Sequence, residues 1–315
     1  MATDPSAKTF LLLGDGRDTL CQRVAETCAR RGHHVILTRD PLAAPFVFSW
    51  HVHSDRDADV WTWATAEADT PALDGVLVRS SGGPIEPEGW DLTDFAYVQA
   101  EAHAALLSWL WSLRCPVVNQ YGADLWLRPQ RSYPEWQRLF AECALPAPDV
   151  LVTNEIDQAR AFAARTGQGV TYMPLTSSSR YAITTSEHWR ELAKLLDHMP
   201  VCLIAIPPRS STYVTVVGRR TVWDHDVHAD VRALEPGLLR LADRLGIDLI
   251  QVEIALTREG VRCILGDVNP RVERHDDRAQ QAVIDAIVEL LESGRRAARP
   301  PLPPEALSLA AECSR

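Results

Sequence analysis

Lysine is almost missing from this chain. Lys8 and Lys194 are the only two in 315 residues, so thirty of the 32 basic side chains are arginine. Chemistry that needs an ammonium group anywhere else is excluded. With abundant alanine and proline, this bias points to GC-rich coding. A basic surplus is also lacking: the formal net charge is −10 and no basic face is evident, which argues against a general nucleic-acid binder. No apolar run approaches the roughly 18 residues that cross a bilayer. The opening residues, Met1 to Lys8, lack the apolar core of a secretory signal. The seven cysteines are scattered with no CxxC pair. They read as buried thiols in a reducing cytoplasm rather than as disulfides or a zinc site. No Ser/His/Asp or Cys/His nucleophile arrangement stands out, and there is no internal repeat.

What remains is an ordinary globular composition, 46% hydrophobic and 23% charged, with length for two or three subdomains. The pattern opens as βαβ. Residues 9–13 form an apolar strand, and Leu20, Val24 and Cys28 recur at helical spacing. Gly32 stops that helix, and residues 34–38 form the next strand. Gly14-Asp-Gly16 lacks the third glycine of a dinucleotide fingerprint. Strands follow at 74–79 and 115–119, with a long helix between them over about 94–113. The middle section reads as a helix over 134–143, a strand at 150–153, and a helix capped by Asn154 and running to Arg165. It continues with a strand at 170–175, a Ser-rich loop, a helix over 188–196 and strands at 201–206 and 213–217. Pro236 suits the first turn of a helix ended by Gly246. A helix over about 279–291 precedes a Pro/Arg-rich tail.

The chemistry concentrates in one hairpin, residues 249–270, folded about Thr257-Arg-Glu-Gly260. Each strand carries a carboxylate, Glu253 and Asp267, and Asn269 follows the second. Strand side chains alternate with period two, so Asp267 and Asn269 share a face that Glu253 can reach from the neighbouring strand. Two carboxylates and an amide carbonyl suit Mg²⁺; the alternative is an acidic hairpin edge.

Other candidates have plainer readings. His225 and His228 read as a solvated loop, and His51 and His53 as surface residues on a short strand. Trp109, Trp111 and Trp126 read as core or dimer contacts. Arg271, Arg274 and His275 either face an anionic ligand or are simply exposed.

The Asp267-Val-Asn-Pro270 ending resembles the Glu-x-Asn-Pro metal-binding strand of ATP-grasp enzymes. The order of elements is similar to an ATP-grasp protein too, and the closer resemblance is to graspetide (microviridin-type) peptide macrocyclases and RimK-like ligases. It covers residues 9–292. Val76-Leu-Val-Arg79, Val118-Asn119 and the passage Leu145-Pro-Ala-Pro-Asp-Val-Leu-Val-Thr-Asn154 carry it. So do Tyr172-Met-Pro-Leu175, in the place of Tyr-Lys-Pro-Leu, and Thr212-Tyr-Val-Thr-Val-Val-Gly218, in the place of Asp-x-Arg-Val-x-Val-Val-Gly.

The resemblance implies an α/β plus α+β architecture: a pre-ATP-grasp α/β unit over 1–118, a central subdomain over 119–206, a C-terminal subdomain over 207–294 and a tail over 295–315. It implies ATP and Mg²⁺ as cofactors. It implies a ligase that joins a carboxylate to an amine or hydroxyl through an acyl phosphate, acting on a peptide or small carboxylate in RiPP maturation. Glu253, Asp267 and Asn269 would hold the metal, and Met173, Ile204, Ala205 and Ile206 would line the nucleotide. A homodimer, a cytoplasmic location and no nucleic-acid or membrane partner complete the expectation.

The departures from the family define a second reading. Met173 replaces the phosphate-binding lysine. The lysine expected near residues 128–133 is absent, with Arg128 and Arg131 the nearest cations. The Asp-x-Arg positions hold Thr212 and Tyr213, and residues 203–205 offer no polar hinge side chain. Each lost charge-assisted contact costs about 1.5–3 kcal/mol. Losing two weakens ATP binding by roughly 3–6 kcal/mol, on the order of 10² to 10⁴ in affinity. The acidic pair is also inverted, Glu before Asp. Either Arg180 or Arg131 replaces lysine in a working ligase, or the chain is a non-catalytic ATP-grasp protein that binds a peptide or partner.

Overall fold

The structure is a computed structural model that describes residues 7–39, 41, 47–51, 60–64, 72–79, 89, 91–120, 131–166, 169–177, 179–205, 211–224, 227–257 and 260–294, with backbone only for 60–64. Ile206, Arg128, His53, Trp126, His225 and the tail from 295 lie outside the described residues.

Strand β1 (Thr9–Leu13) is buried on both faces, as an unbroken apolar run requires. Asp18 caps α1 (Thr19–Arg30) by accepting the Cys21 N–H at 3.0 Å. Next come β2 (His34–Thr38), a separate hairpin of β3 (Val47–His51) and β4 (Val60–Ala64), β5 (Gly75–Val78), α2 (Leu92–Ser112) and β6 (Val117–Val118). The order β2-β1-β5-β6 is parallel throughout.

The middle of the chain holds α3 (Tyr133–Glu142), entered through a Ser132/Glu135 capping box. It continues with β7 (Val150–Thr153), α4 (Ile156–Thr166), β8 (Val170–Met173), β9 (Tyr181–Ile183), α5 (Ser186–Leu196) and β10 (Val201–Ile204). These strands form an antiparallel sheet in the order β7-β10-β8-β9. Asn154 does not cap α4. The helix starts at Ile156, and the Thr153 hydroxyl takes the Glu155 N–H at 3.0 Å instead.

The last unit holds β11 (Ser211–Val217), β12 (Arg220–Trp223), α6 (Ala229–Arg232), α7 (Glu235–Leu245), β13 (Leu249–Thr257), β14 (Gly260–Asp267) and α8 (Asp277–Glu292). Its antiparallel sheet runs β12-β11-β13-β14. Strands β9 and β12 have three and four residues, too short for a period-two signal, and were not expected from sequence.

Two layers of core join the first and last units. Leu11, Val76 and Trp109 share one cluster with Val216, Ile250 and Leu241. Phe10, Leu12 and Val24 share another with Val283, Ile287 and Leu291 of α8. Helix α3 also packs here, through Trp136, Leu139 and Phe140. Of the tryptophans singled out, Trp109 is fully buried with Phe48 edge-on to it, and Trp111 is half-buried. The antiparallel middle sheet has its own small core of Ala159, Phe162, Leu192 and Leu203. No described helix is long and apolar enough to cross a membrane.

Candidate functional site

A cleft of about 770 Å³ opens where the three sheets meet. Its first wall comes from the carboxyl ends of the parallel strands, the usual ligand side of such a sheet. Arg17, Asp18 and Arg79 stand there. Arg79 is nearly buried and donates to Asp18 Oδ2 at 2.8 and 3.2 Å. Asp18 therefore caps α1 and holds a cation with one carboxylate. Sequence reading missed this pair, because the two residues are 61 positions apart.

The second wall is the β13–β14 hairpin. Gln251 lies directly opposite Asp267, and Glu253 opposite Leu265. Glu253 and Asp267 therefore share a face as diagonal neighbours, about 7–8 Å apart at Cα. A register shift follows Glu253 and leaves Ile264 without a partner of its own on β13. Asn269 lies past the end of β14, where its N–H donates to Asp267 Oδ1 at 3.0 Å. Asp267 and Asn269 line the cleft.

Each acidic group already has a cation. Arg180, just before β9, grips Glu253 with both terminal nitrogens: Nη1 donates to Oε1 at 2.7 Å, and Nη2 to Oε2. The Ser211 hydroxyl also donates to Oε1. The Glu253 side chain is 6% exposed and that of Arg180 32%. Arg274 Nη1 lies 3.4 Å from Asp267 Oδ2 and its guanidinium stacks 5.1 Å above the Tyr213 ring. Burial raises the Asp267 carboxyl above its usual value, partly offset by the Asn269 N–H and by Arg274.

Gln251, also missed, is the hub of this row. Its amide nitrogen donates to Thr215 Oγ1 at 3.3 Å and to the Arg271 carbonyl at 3.3 Å, and lies 3.2 Å from His275 Nε2. Its oxygen accepts from Arg274 at 3.2 Å. His275 is buried rather than exposed, and its ring meets Thr215 Oγ1 at 2.7 Å. His228 and His51 are exposed, as expected of surface residues.

The third wall is apolar. Met173 is 1% exposed and packs with Tyr133, Cys202, Ile204, Ala255 and Ile264. Ile204, expected beside a nucleotide, is sealed in this cluster; Ala205, its neighbour, packs against the core of the middle sheet. Tyr133 stands at the end of the segment where the second lysine was expected, and burial pushes its phenol well above the usual range. Trp136 packs against Gly266: a Cβ there would come within 2.3 Å of the indole. Arg131 lines the cleft mouth with Ser177, Arg271 and Glu273. Burial pushes the Cys202 and Cys263 thiols up to about 12, so both are held as neutral thiols at neutral pH.

A divalent cation held between Glu253 and Asp267 does not fit this arrangement. Both oxygens of Glu253 face a guanidinium, and the residue opposite Asp267 is an amide, not a second carboxylate. No three His, Cys, Asp or Glu side chains among the described residues gather as a metal site. An ATP phosphate chain also finds no lysine, since Lys8 reaches the Glu292 carbonyl and Lys194 pairs with Glu191.

No protein-family profile matches the chain, and no curated protein does. Solved structures match over nearly its whole length. Macrocyclase MdnC from Microcystis aeruginosa MRC, bound with precursor peptide MdnA, superposes with a TM-score of 0.68 at 14% identity, covering 91% of this chain and 100% of that one. The RiPP-associated ATP-grasp ligase of Chryseobacterium gregarium, in complex with ADP and a leader and core peptide, gives 0.67 at 16% identity over 93% and 98%. ATP-grasp ligase PsnB, complexed with minimal precursor, Mg and ADP, gives 0.68 at 16% identity over 92% and 100%. With three sheets in this order and neighbours drawn from RiPP macrocyclases and ligases, the chain has the ATP-grasp fold.

Proposed function

We propose that this chain is a peptide-binding protein on the ATP-grasp scaffold that works without a nucleotide. The observation that carries this reading is the cluster around Met173. The two sheets that would clasp a nucleotide meet instead through Met173, Cys202 and Ile204 on one side and Ala255 and Ile264 on the other. Tyr133 packs in the same cluster. Opening that cluster for an adenine ring would expose buried apolar surface at about 25 cal/mol per Å², with no lysine contact to offset it. The peptide half of the proposal rests on the neighbours, all three of which hold a precursor or a leader and core peptide. Arg17, Arg131, Arg271 and Arg274 along the cleft suit the carboxylates of such a ligand. No described cysteine is disulfide-bonded, which fits a cytoplasmic location.

Calorimetry with ATP, with and without Mg²⁺, tests the nucleotide half; no binding is expected up to millimolar concentration. Anisotropy of a labelled acidic peptide tests the other half, with binding expected to be unchanged by ATP. Low-micromolar ATP affinity, or peptide binding that requires ATP, would overturn the reading.

One observation favours a ligase instead. Asp267, Asn269 and Arg131 line the same cleft, the places where metal and phosphate would be held for acyl-phosphate chemistry in RiPP maturation. Mass spectrometry of peptide incubated with chain, ATP and Mg²⁺ decides between the two. Loss of one water per new ester or amide bond, with matching ADP, establishes the ligase; unmodified peptide with intact ATP rejects it.

A further inference from the structure

We infer that arginine has taken over the charge-balancing place of the metal on this acidic hairpin, and that the Arg180–Glu253 pair is a metal-free clasp holding the middle sheet to the C-terminal sheet. This goes beyond the proposed function, because it concerns what keeps the cleft closed whatever ligand the cleft binds.

The geometry is that of a bidentate fork, with two parallel N–H···O contacts from one guanidinium to one carboxylate. One partner stands just before β9 and the other on β13, 73 positions apart in sequence. Glu253 is almost fully buried, and a carboxylate in that state requires a counter-charge. Arg180 supplies it, and Ser211 takes a further lone pair on Oε1. A cation entering this seat would have to displace the guanidinium and leave it beside a second positive charge. The same substitution recurs one row along, where Arg274 stands 3.4 Å from Asp267 and is steadied by Gln251 and the Tyr213 ring. Tyr213 is the residue directly opposite Glu253 on β11. It carries no charge to compete with Arg180, so the cation comes from the residue before β9. The inverted acidic pair then has a reason: the longer Glu on β13 reaches across to Arg180, while the shorter Asp267 stays within its own sheet.

Two measurements on the full chain test this. The first is a Mn²⁺ titration followed by electron paramagnetic resonance, with melting curves in EDTA and in millimolar Mg²⁺. No stoichiometric Mn²⁺ binding and identical melting temperatures are expected. One Mn²⁺ per chain, lost in Glu253→Gln, would overturn the inference. The second is a double-mutant cycle of Arg180→Ala and Glu253→Gln by urea unfolding. Each single variant is expected to lower the folded-to-unfolded ratio by about 10- to 100-fold, less than for a fully buried pair because Arg180 is a third exposed. The double variant should be little worse than either single one, a coupling of about 10-fold or more. Additive effects would overturn the clasp. Should Arg180→Ala not fold, Arg180→Lys keeps the charge but loses the fork, and it should fall between parent and Glu253→Gln. Parent-like stability of the lysine variant would count against the fork. ATP binding without Mn²⁺ binding would defeat the proposed function and leave this inference standing. Mn²⁺ bound at Glu253 without ATP would do the reverse.

Discussion

The C-terminal sheet has two neighbours and meets them in different ways. Against the N-terminal unit it shares two extended layers of buried apolar side chains, reinforced by α8 lying along α1. Asn119 pins this junction: its amide donates to the carbonyls of Leu249 and Val268 at 2.9 and 3.1 Å and accepts the Leu249 N–H at 2.6 Å. Against the middle sheet, among the described residues, it shares a small cluster of six buried residues and one forked ion pair. The first junction makes one body of two sequence-distant units. The second buries far fewer apolar side chains, and ligand-binding elements are commonly drawn from the low-stability end of a fold.

The largest expected effect tests the first junction. Asn119→Ala removes three hydrogen bonds at a fully buried residue whose φ of 58° also favours Asn over Ala. A loss of about 3–5 kcal/mol is expected by urea unfolding. A loss below about 1 kcal/mol would mean that the apolar layers alone hold the units together.

Met173→Lys tests the second junction. A lysine packed among Tyr133, Cys202 and Ile264 would leave water for an apolar cluster. Stability should fall by about 2–4 kcal/mol, with no gain in ATP affinity. A tenfold gain in ATP affinity with unchanged melting temperature would instead identify a nucleotide site that has merely lost its cation.

Asp248 lies at the first junction, just before β13, and gives a pH-dependent test. Burial pushes its carboxyl up to about 6 from an ordinary 3.8, against the pull of the Asn119 N–H. The folded chain therefore holds an extra proton between those values, so Asp248 lowers stability as pH rises through that window. Asp248→Asn should be more stable than parent by about 1–3 kcal/mol at neutral pH, and equal to it below about pH 4. A pH-independent difference would point to a lost contact rather than to a titrating carboxyl.

The smallest effect is expected at the rim. Arg31 reaches Asp285 at 3.1 Å and Glu292 at 2.9 Å, all partly exposed. Asp285→Ala should cost no more than about 0.5 kcal/mol at physiological salt. A larger loss would mean that charge, not apolar area, carries the first junction.

The sequence by itself determined the order of the longer elements and their apolar faces, because period two and period 3.6 are written in consecutive residues. It also placed Glu253 and Asp267 on one face of a hairpin, and it located the Met173 departure. It did not reveal β9, too short to show a period, or the Asp18–Arg79 pair, too distant to show a pattern. Gln251 looked like an ordinary strand residue until the register set it opposite Asp267. What only the tertiary structure decided is the state of the acidic hairpin. Read along the chain, Glu253, Asp267 and Asn269 present oxygen ligands for a cation. Folded, Arg180 arrives from just before β9 and Arg274 from beyond the strand. A carboxylate's counter-ion is chosen by what lies within a few ångströms of it, and that neighbourhood is made by folding rather than by sequence order.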